Sequence, residues 1–571
     1  MRRFGIDLGT TNTCISEANF PIGGNGVEDF TLREIDIHYE DEGDMVNPPL
    51  ESRMPSAIYG VKNDDDSYRF YLGKVAVLMA KHDGVTEIIN TKRLLCREDP
   101  KTIISYGLTA QDIAQKLLEG CHYSLAMGVR ELQRRHASYC ITQPAAFGLF
   151  ASRSIHDAAI RAGFQNAQVQ REPIAALLSF LFEQLCDSKN AEILFRKQAE
   201  HNGRLLTVVV DIGGGTTDVT IQEIEVTGRE EREQGTLFCT GYTVRFLNMV
   251  NDDENEDTPI AAANLEPAFG GYDFDKEIVK YVIEEWNRQY REATGEDYNW
   301  NSHGGQKAIA ELYRRIQRYK DSLSYNPQEI DESYNLDDRF VSCHLTEELV
   351  YQITQKLCEC GQEGYNSQKT VYGIIVDTIQ RSGYNVEDID FFFVTGGMSS
   401  YKPIREIISK RFAMLKNSGA LFFSKTPLQD ISRGAAVCNC FFKVEMPQTI
   451  LYADLMIDDP CGEPRVLVKK NEPLPAEDTV PNFMELRNPA NLYLDVLWGH
   501  STKDCELKRL RHFRAPLPRG KITPMGTKVS VHYHIDTHQA MDIDLIVHDP
   551  DGDYSVKILN LIKNADLIRG E

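Results

Sequence analysis

An apolar strand pattern begins almost at once, in Phe4-Gly-Ile-Asp-Leu-Gly-Thr-Thr-Asn-Thr-Cys-Ile-Ser16, and it returns as Val208-Val-Val-Asp-Ile-Gly-Gly-Gly-Thr-Thr-Asp-Val-Thr-Ile221. Each copy reads as an apolar strand ending in Asp, a turn of Gly and paired Thr, and a second strand. The repeat predicts two similar α/β lobes, each opening with a β-hairpin. Strand and helix signals then alternate. Ser138–Thr142 reads as a short strand and Phe150–Ala162 as a helix leading to Gly163. From Asp275 to Tyr290, residues Ile278, Val279, Val282, Ile283 and Trp286 fall on one helical stripe. Leu312–Leu323 reads as another helix, closed by Asn326-Pro327, and Asp390–Thr395 as a strand buried on both faces that runs into Gly396-Gly397.

Two acidic, turn-rich segments without apolar periodicity, Gly23–Pro49 and Asn251–Thr258, read as surface insertions. Beyond Lys443 the rhythm changes: prolines multiply and period-two alternation replaces the helical period, as in Val529, Val531, Tyr533 and Ile535, then Ile543, Leu545 and Val547, with Thr537–Ala540 as the hairpin turn between them. The division expected is residues 1–443, a linker over 444–465, and a β-sandwich-like domain over 466–571, with Ile450–Asp458 reading equally as linker or as a first sandwich strand.

The chain has 571 residues and a formal net charge of −23, which disfavours nucleic acid and anionic lipid as partners. Its 13 cysteines include only C-x-C close pairs (Cys358/Cys360, Cys438/Cys440), so reduced cytosolic thiols are expected rather than a zinc knuckle or a disulfide framework. With neither a signal-peptide pattern at Met1 nor any membrane-length apolar run, a cytoplasmic protein without membrane contact is expected. His532, His534, His538 and His548 lie in or near one hairpin, and Lys508-Arg509-Leu-Arg511-His-Phe-Arg514 is a basic patch in an acidic chain. For the histidines no cross-strand partners completing a tetrahedral metal site are evident, and the basic run reads as a solvated loop or a salt-bridged interdomain face.

Chemistry concentrates in the glycine turns. Backbone amides in a Gly/Thr turn can face an anion when no side chain blocks the approach, and hydroxyls add donors. Gly9-Thr10-Thr11 and Gly213-Gly214-Gly215-Thr216-Thr217 could thus clasp a polyphosphate from two sides, while Asp7 and Asp211 hold Mg²⁺ through its waters. Gly396-Gly397 offers a third close approach, suited to a nucleoside.

These three motifs, in this order, resemble the nucleotide-binding domain of the seventy-kilodalton heat-shock chaperones, members of the actin-like ATPase superfamily. The resemblance covers residues 1 to about 443. It implies a two-lobed, ribonuclease-H-like ATPase domain followed by a β-sandwich-like domain, with ATP or ADP, Mg²⁺ and K⁺ as cofactors. Asn90–Arg97 is similar to the segment carrying the family's catalytic lysine, which maps onto Lys92, and Arg171-Glu172-Pro173 to its Glu-Pro step. The mapping implies that Lys92 stabilises transferred charge, that Thr216 and Glu172 place the attacking water, and that Asp7, Asp211 and Asp218 manage cation and water. Gly9, Thr10, Thr11, Asn12, Gly213, Gly214, Gly215 and Thr217 would then hold phosphates, and Gly270, Gly271, Lys320, Ser324, Gly396, Gly397 and Met398 the nucleoside.

The chain departs from the pattern where the base is held: Tyr272 stands for a Glu, Gln317 and Asp321 for Glu and Arg, and Ser400 near an expected Arg. Val466–Pro475, Leu492–Gly499 and Pro518-Arg519-Gly520 resemble parts of the family's peptide-binding sandwich, and the few residues after Gly552 predict no helical lid. The resemblance implies an ATP-dependent chaperone that binds unfolded or extended polypeptide, with a J-domain co-chaperone and a nucleotide-exchange factor as possible partners. A nucleotide-gated module for one partner, and a small-molecule kinase, stand as the other readings of the same residues.

Overall fold

The computed structural model describes residues 2–19, 30–39, 51–82, 94–95, 102–131, 134, 137–144, 149–233, 236–249, 270–323, 329–360, 370–445, 454–458, 464–469, 472, 475–499, 508–517, 523–535 and 541–562. The chain divides into two compact units, the first comprising Met1–Ala146, Ile155–Asp252 and Ile260–Glu445, and the second Phe147–Ser154, Asp253–Pro259 and Met446–Glu571.

The first unit holds two mixed sheets. In one, β1 (Arg2–Leu8), β2 (Asn12–Asn19), β3 (Thr31–Glu34), β4 (Ser138–Gln143) and β5 (Gln168–Arg171) lie in the order β5-β4-β1-β2-β3. In the other, β6 (Leu205–Ile212), β7 (Thr217–Glu233), β8 (Thr236–Met249), β9 (Phe391–Thr395) and β10 (Leu421–Phe423) repeat it as β10-β9-β6-β7-β8, extended by β11 (Phe442–Glu445). Directions repeat as well: the hairpin strands run antiparallel, and the strand beside each hairpin's first strand runs parallel to it. The repeat seen in sequence is thus a duplicated sheet. Helices fill the parallel crossovers, α1 (Leu149–Arg161) between β4 and β5, and others between β9 and β10.

Two helices lock the sheets together. The helix α2 (Glu172–Cys186) is apolar on nearly all sides because it is buried on nearly all sides. The small residues of a second helix, Asp430–Val437, let its backbone approach both neighbours. Strand β6 explains its own unbroken apolar run: Val208, Val210 and Ile212 enter one core and Val209 the other. Beyond β8 come α3 (Gly271–Thr294), α4 (His303–Leu323), α5 (Lys402–Arg411) and α6 (Asp430–Val437). Both α3 and α4 start earlier than their apolar stripes suggest. Gly270 and Asp273 set the first start, where the Asp273 carboxylate accepts from the Gly270 amide at 2.9 Å.

In the second unit, β12 (Asp454–Asp458), β13 (Arg465–Val468), β14 (Ala476–Glu485), β15 (Asn491–Gly499), β16 (Lys508–Pro516), β17 (Lys528–Ile535), β18 (Met541–Val547) and β19 (Tyr554–Ile562) form two four-stranded antiparallel sheets, β13-β12-β15-β16 and β14-β17-β18-β19. Alternate residues such as Leu455, Ile457, Leu494, Val496, Val531 and Leu545 fill the space between them.

Within residues 444–465, Asp454–Asp458 forms β12, which pairs with β13 and β15, the strand alternative for Ile450–Asp458. Gly23–Pro49, read as an insertion, contains β3, and Ile35 and Ile37 are buried. As an outer strand rich in charge, Thr31–Glu34 carries too little apolar signal to be recognised from periodicity. The turns expected at Thr537–Ala540 and Pro518–Gly520, and the segment Asn251–Thr258, lie outside the described residues.

Candidate functional site

Asp7 and Asp211 occupy equivalent places, each one residue before the end of its hairpin's first strand, opposite Cys14 and Asp218 respectively. Both are buried. Thr142, level with Asp7 on the neighbouring strand β4, donates from Oγ1 to Asp7 Oδ1 at 3.1 Å. The turn that follows is braced from outside: Ser56 Oγ donates to the Gly9 carbonyl at 2.6 Å, and the Ser56 amide to the Thr11 carbonyl at 2.8 Å. Gly9 itself lies against the Asn12 carbonyl, where a Cβ has no room. Burial, then the Asp7 charge, pushes the neighbouring Cys14 thiol well above the ordinary range, so that it stays protonated.

In the second hairpin the Gly213 amide donates to the Thr216 carbonyl at 2.8 Å, and Thr216 Oγ1 to Asp218 Oδ2 at 3.0 Å. Thr217, counted from sequence with the ligand contacts, is fully buried, on the opposite face of β7 from Thr216 and Asp218. Strand alternation sends its side chain into the core, so the hydroxyls at the turn are those of Thr10, Thr11 and Thr216.

The two turns meet. A Cβ on Gly214 would collide with the Thr11 hydroxyl. The start of α3 then docks on the second turn, its Gly271 and Tyr272 amides donating to the Gly213 and Gly214 carbonyls at 3.0 and 2.8 Å. Gly270 is packed against the Gly215–Thr216 peptide, with Thr216 N only 2.6 Å from where a Cβ would sit. On α4, Lys320 Nζ donates to the Gly271 carbonyl at 3.0 Å and pairs with buried Asp275 at 2.6 Å. Met398 Sδ and Lys320 Nζ each stand 3.0 Å from the Cβ position of Gly271, and Gly396, at φ +82°, abuts the Asp211 carboxylate. Gly397 follows, half-buried, at the start of a short helical turn. Gly9, Thr11, Gly213–Thr216, Gly270, Gly271, Lys320, Gly396 and Met398 therefore form one continuous neighbourhood, with Thr10 and Asn12 in its first turn.

Glu172 opens α2 directly after β5, at the same ends of the parallel strands as Asp7, and is buried. The equivalent strand of the second sheet, β10, leads into α6, which begins with a second acid, Asp430. Thr395 Oγ1 and Thr426 Oγ1 donate to it at 2.5 and 2.8 Å, and Ser179 Oγ of α2 approaches at 3.4 Å. Burial raises the Asp430 pKa, partly opposed by the hydroxyls of Ser424, Thr395 and Thr426.

Lys92 and Ser324 lie outside the described residues. Tyr272, where the resemblance expects Glu, stacks on Tyr313 with centroids 5.9 Å apart and planes 9° from parallel. Ser56, Thr142 and Asp430 escaped the sequence reading. The first has a local signal in Pro55-Ser56 after a short strand; the other two have none, since their partners are remote in the chain. Among the described residues no group of three or more His, Cys, Asp or Glu is arranged to hold a metal ion directly, and no helix is long and apolar enough to cross a membrane.

Comparison with known proteins adds an independent line. A family model described as Hsp70 protein matches residues 255–488, a stretch that includes Gly270, Lys320 and Gly396 and continues into the second unit. The chain is similar to a chaperone protein dnaK of Cyanidium caldarium, 23% identical over 563 residues, covering 94% of this chain and 77% of that protein. It is similar also to a chaperone protein DnaK of Burkholderia cepacia, 24% identical over 580 residues, covering 94% of this chain and 74% of the relative.

Proposed function

We propose that this chain, a member of the Hsp70 protein family, is an ATP-dependent chaperone of the heat-shock type, hydrolysing ATP in the duplicated-sheet unit to control the grip of the sandwich on extended polypeptide. The observation that carries the reading is the meeting of the two glycine turns at Gly214 and Thr11. The first unit is then an actin-like ATPase domain of two lobes, each contributing one turn to the phosphates.

The residues fit a magnesium nucleotide. Gly9, Gly214 and Gly396 leave backbone bare at places a Cβ would fill, which suits close approach of phosphate and sugar. Asp7, Asp211 and Asp218 are hard oxygen donors, and with no direct cage among the described residues they would hold Mg²⁺ through its waters. When bound, the cation neutralises charge on the phosphates.

On this chain's side, catalysis is positioning and electrostatics. Thr142 fixes the Asp7 carboxylate, and Thr216, held by Asp218, presents its hydroxyl at the turn. Glu172 orients the attacking water from the head of α2, and Lys92 stabilises the charge that develops on the transferred group. Lys320, anchored to Asp275 beside Gly271, would help hold the nucleoside. Extended polypeptide would pair along the sandwich by strand addition. Coupling is reciprocal, so peptide must alter nucleotide turnover as ATP alters peptide affinity.

The test is ATP hydrolysis by the wild type and by Lys92→Ala, each with and without an unfolded peptide, together with peptide affinity with and without ATP. Slow turnover that the peptide changes, and that the substitution nearly abolishes while nucleotide stays bound, is expected. A chain that turns over ATP with no mutual effect between ATP and peptide is not a chaperone of this type.

A further inference from the structure

Arg3 is 3% exposed, yet among the described residues no carboxylate pairs with it. Its guanidinium donates to neutral oxygens, to Gln168 Oε1 at 2.5 Å and Ser138 Oγ at 3.4 Å. A buried cation needs an anion nearby, and what surrounds Arg3 is sulfur. Cys140 lies in β4, level with Gly5 of β1 and Gln168 of β5. Cys438 ends α6, and both thiols are 1% exposed and belong to the same buried cluster. Gln170 Nε2 donates to Cys438 Sγ at 3.5 Å. Cys440 is buried in the same cluster.

We infer that Cys140 and Cys438 form a redox-active dithiol, with Cys438 the thiolate that balances Arg3 and Cys140 the resolving thiol, modified by hydrogen peroxide or a small organic peroxide. The inference does not depend on nucleotide chemistry. The thiol of Cys140, the amide of Gln170 and the charge of Arg3 all lower the Cys438 pKa against its burial, and Cys140 shifts upward in return. The negative end of α6 works against an anion here, which is what the Arg3 and Gln170 contacts outweigh. The cluster lies just beneath the surface: Gln168 and Asn439 are both exposed and bonded to each other at 3.0 Å.

The chemistry balances in two steps. The Cys438 thiolate attacks one peroxide oxygen, the O–O bond breaks, and the departing alkoxide or hydroxide takes a proton from water; sulfur is oxidised to sulfenic acid and the peroxide reduced. Cys140 then attacks that sulfur, the S–S bond forms, the S–O bond breaks, and the leaving hydroxide takes the Cys140 proton to become water. The product fastens a strand of the first sheet to the helix that follows the second.

The test is to expose the full chain to hydrogen peroxide, alkylate remaining thiols, digest and map by mass spectrometry. A Cys140–Cys438 linked peptide with two fewer free thiols per chain is expected. In Cys140→Ser, a dimedone-type probe should label Cys438 about tenfold or more above buried Cys14 and Cys121, and Arg3→Gln should slow that labelling. No linkage and no sulfenic label on Cys438 would overturn the inference. So would equal labelling of Cys14 and Cys121, which reports general opening. If Cys140→Ser fails to fold, wild-type mapping decides alone.

Discussion

Gly434 of α6 lies directly on the carbonyl of Ala175 in α2, at a separation that no side chain could share. On its other side, α6 presents the Ser432 carbonyl and the Ala436 amide to Gly5 of β1. One short helix thus touches the backbone of both the first hairpin and the helix that starts with Glu172. The contact is backbone on backbone, so no rotamer change can relieve an intruding methyl.

Gly434→Ala is therefore expected to destabilise the first unit by more than the roughly 1–3 kcal/mol typical of overpacking. Denaturant or thermal unfolding measures it. A cost within about 0.5 kcal/mol, ordinary for a surface change, would mean that the helices separate freely.

Lys320 and Asp275 form a largely buried ion pair, with 13% and 2% of their side chains exposed. Removing the cation alone, as Lys320→Ala, should cost on the order of 3–5 kcal/mol, because it takes the paired cation from a buried carboxylate. Lys320→Met combined with Asp275→Leu should recover much of the loss. A double variant no better than the single would show that the Gly271 carbonyl, and not Asp275, is what Lys320 satisfies.

Asp430 has a raised pKa, so its contribution to stability is complete below the ordinary carboxylate pKa and is lost as pH climbs through the raised value. Asp430→Asn has no such loss. Chemical denaturation from about pH 4 upward should thus show the wild type losing ground to the variant as pH rises; a gap widening in the opposite direction would place a cation near Asp430.

Gly396 combines φ +82° with contact against the Asp211 carboxylate. Gly396→Ala pays the left-handed strain of about 1 kcal/mol and displaces Asp211. On the ATPase reading, turnover should fall at least tenfold with far-UV circular dichroism retained. Unchanged turnover in a folded variant would remove Asp211 from the reaction.

The amino-acid sequence alone determined the two hairpins, because each is a local strand-turn-strand unit whose Asp, Gly and Thr are neighbours in the chain. It also determined the sandwich alternation, since a strand that buries one face must write that face into every second residue. Its reading stopped where the signal was weak or remote: β3 is too charged to show a pattern, and β12, five residues long, reads equally as strand or linker. Only the tertiary structure brought Gly214 against Thr11, set Gly271 between Lys320 and Met398, and gathered Arg3, Cys140 and Cys438. Contacts between distant segments are decided by how sheets and helices pack, and local residue order carries no record of that.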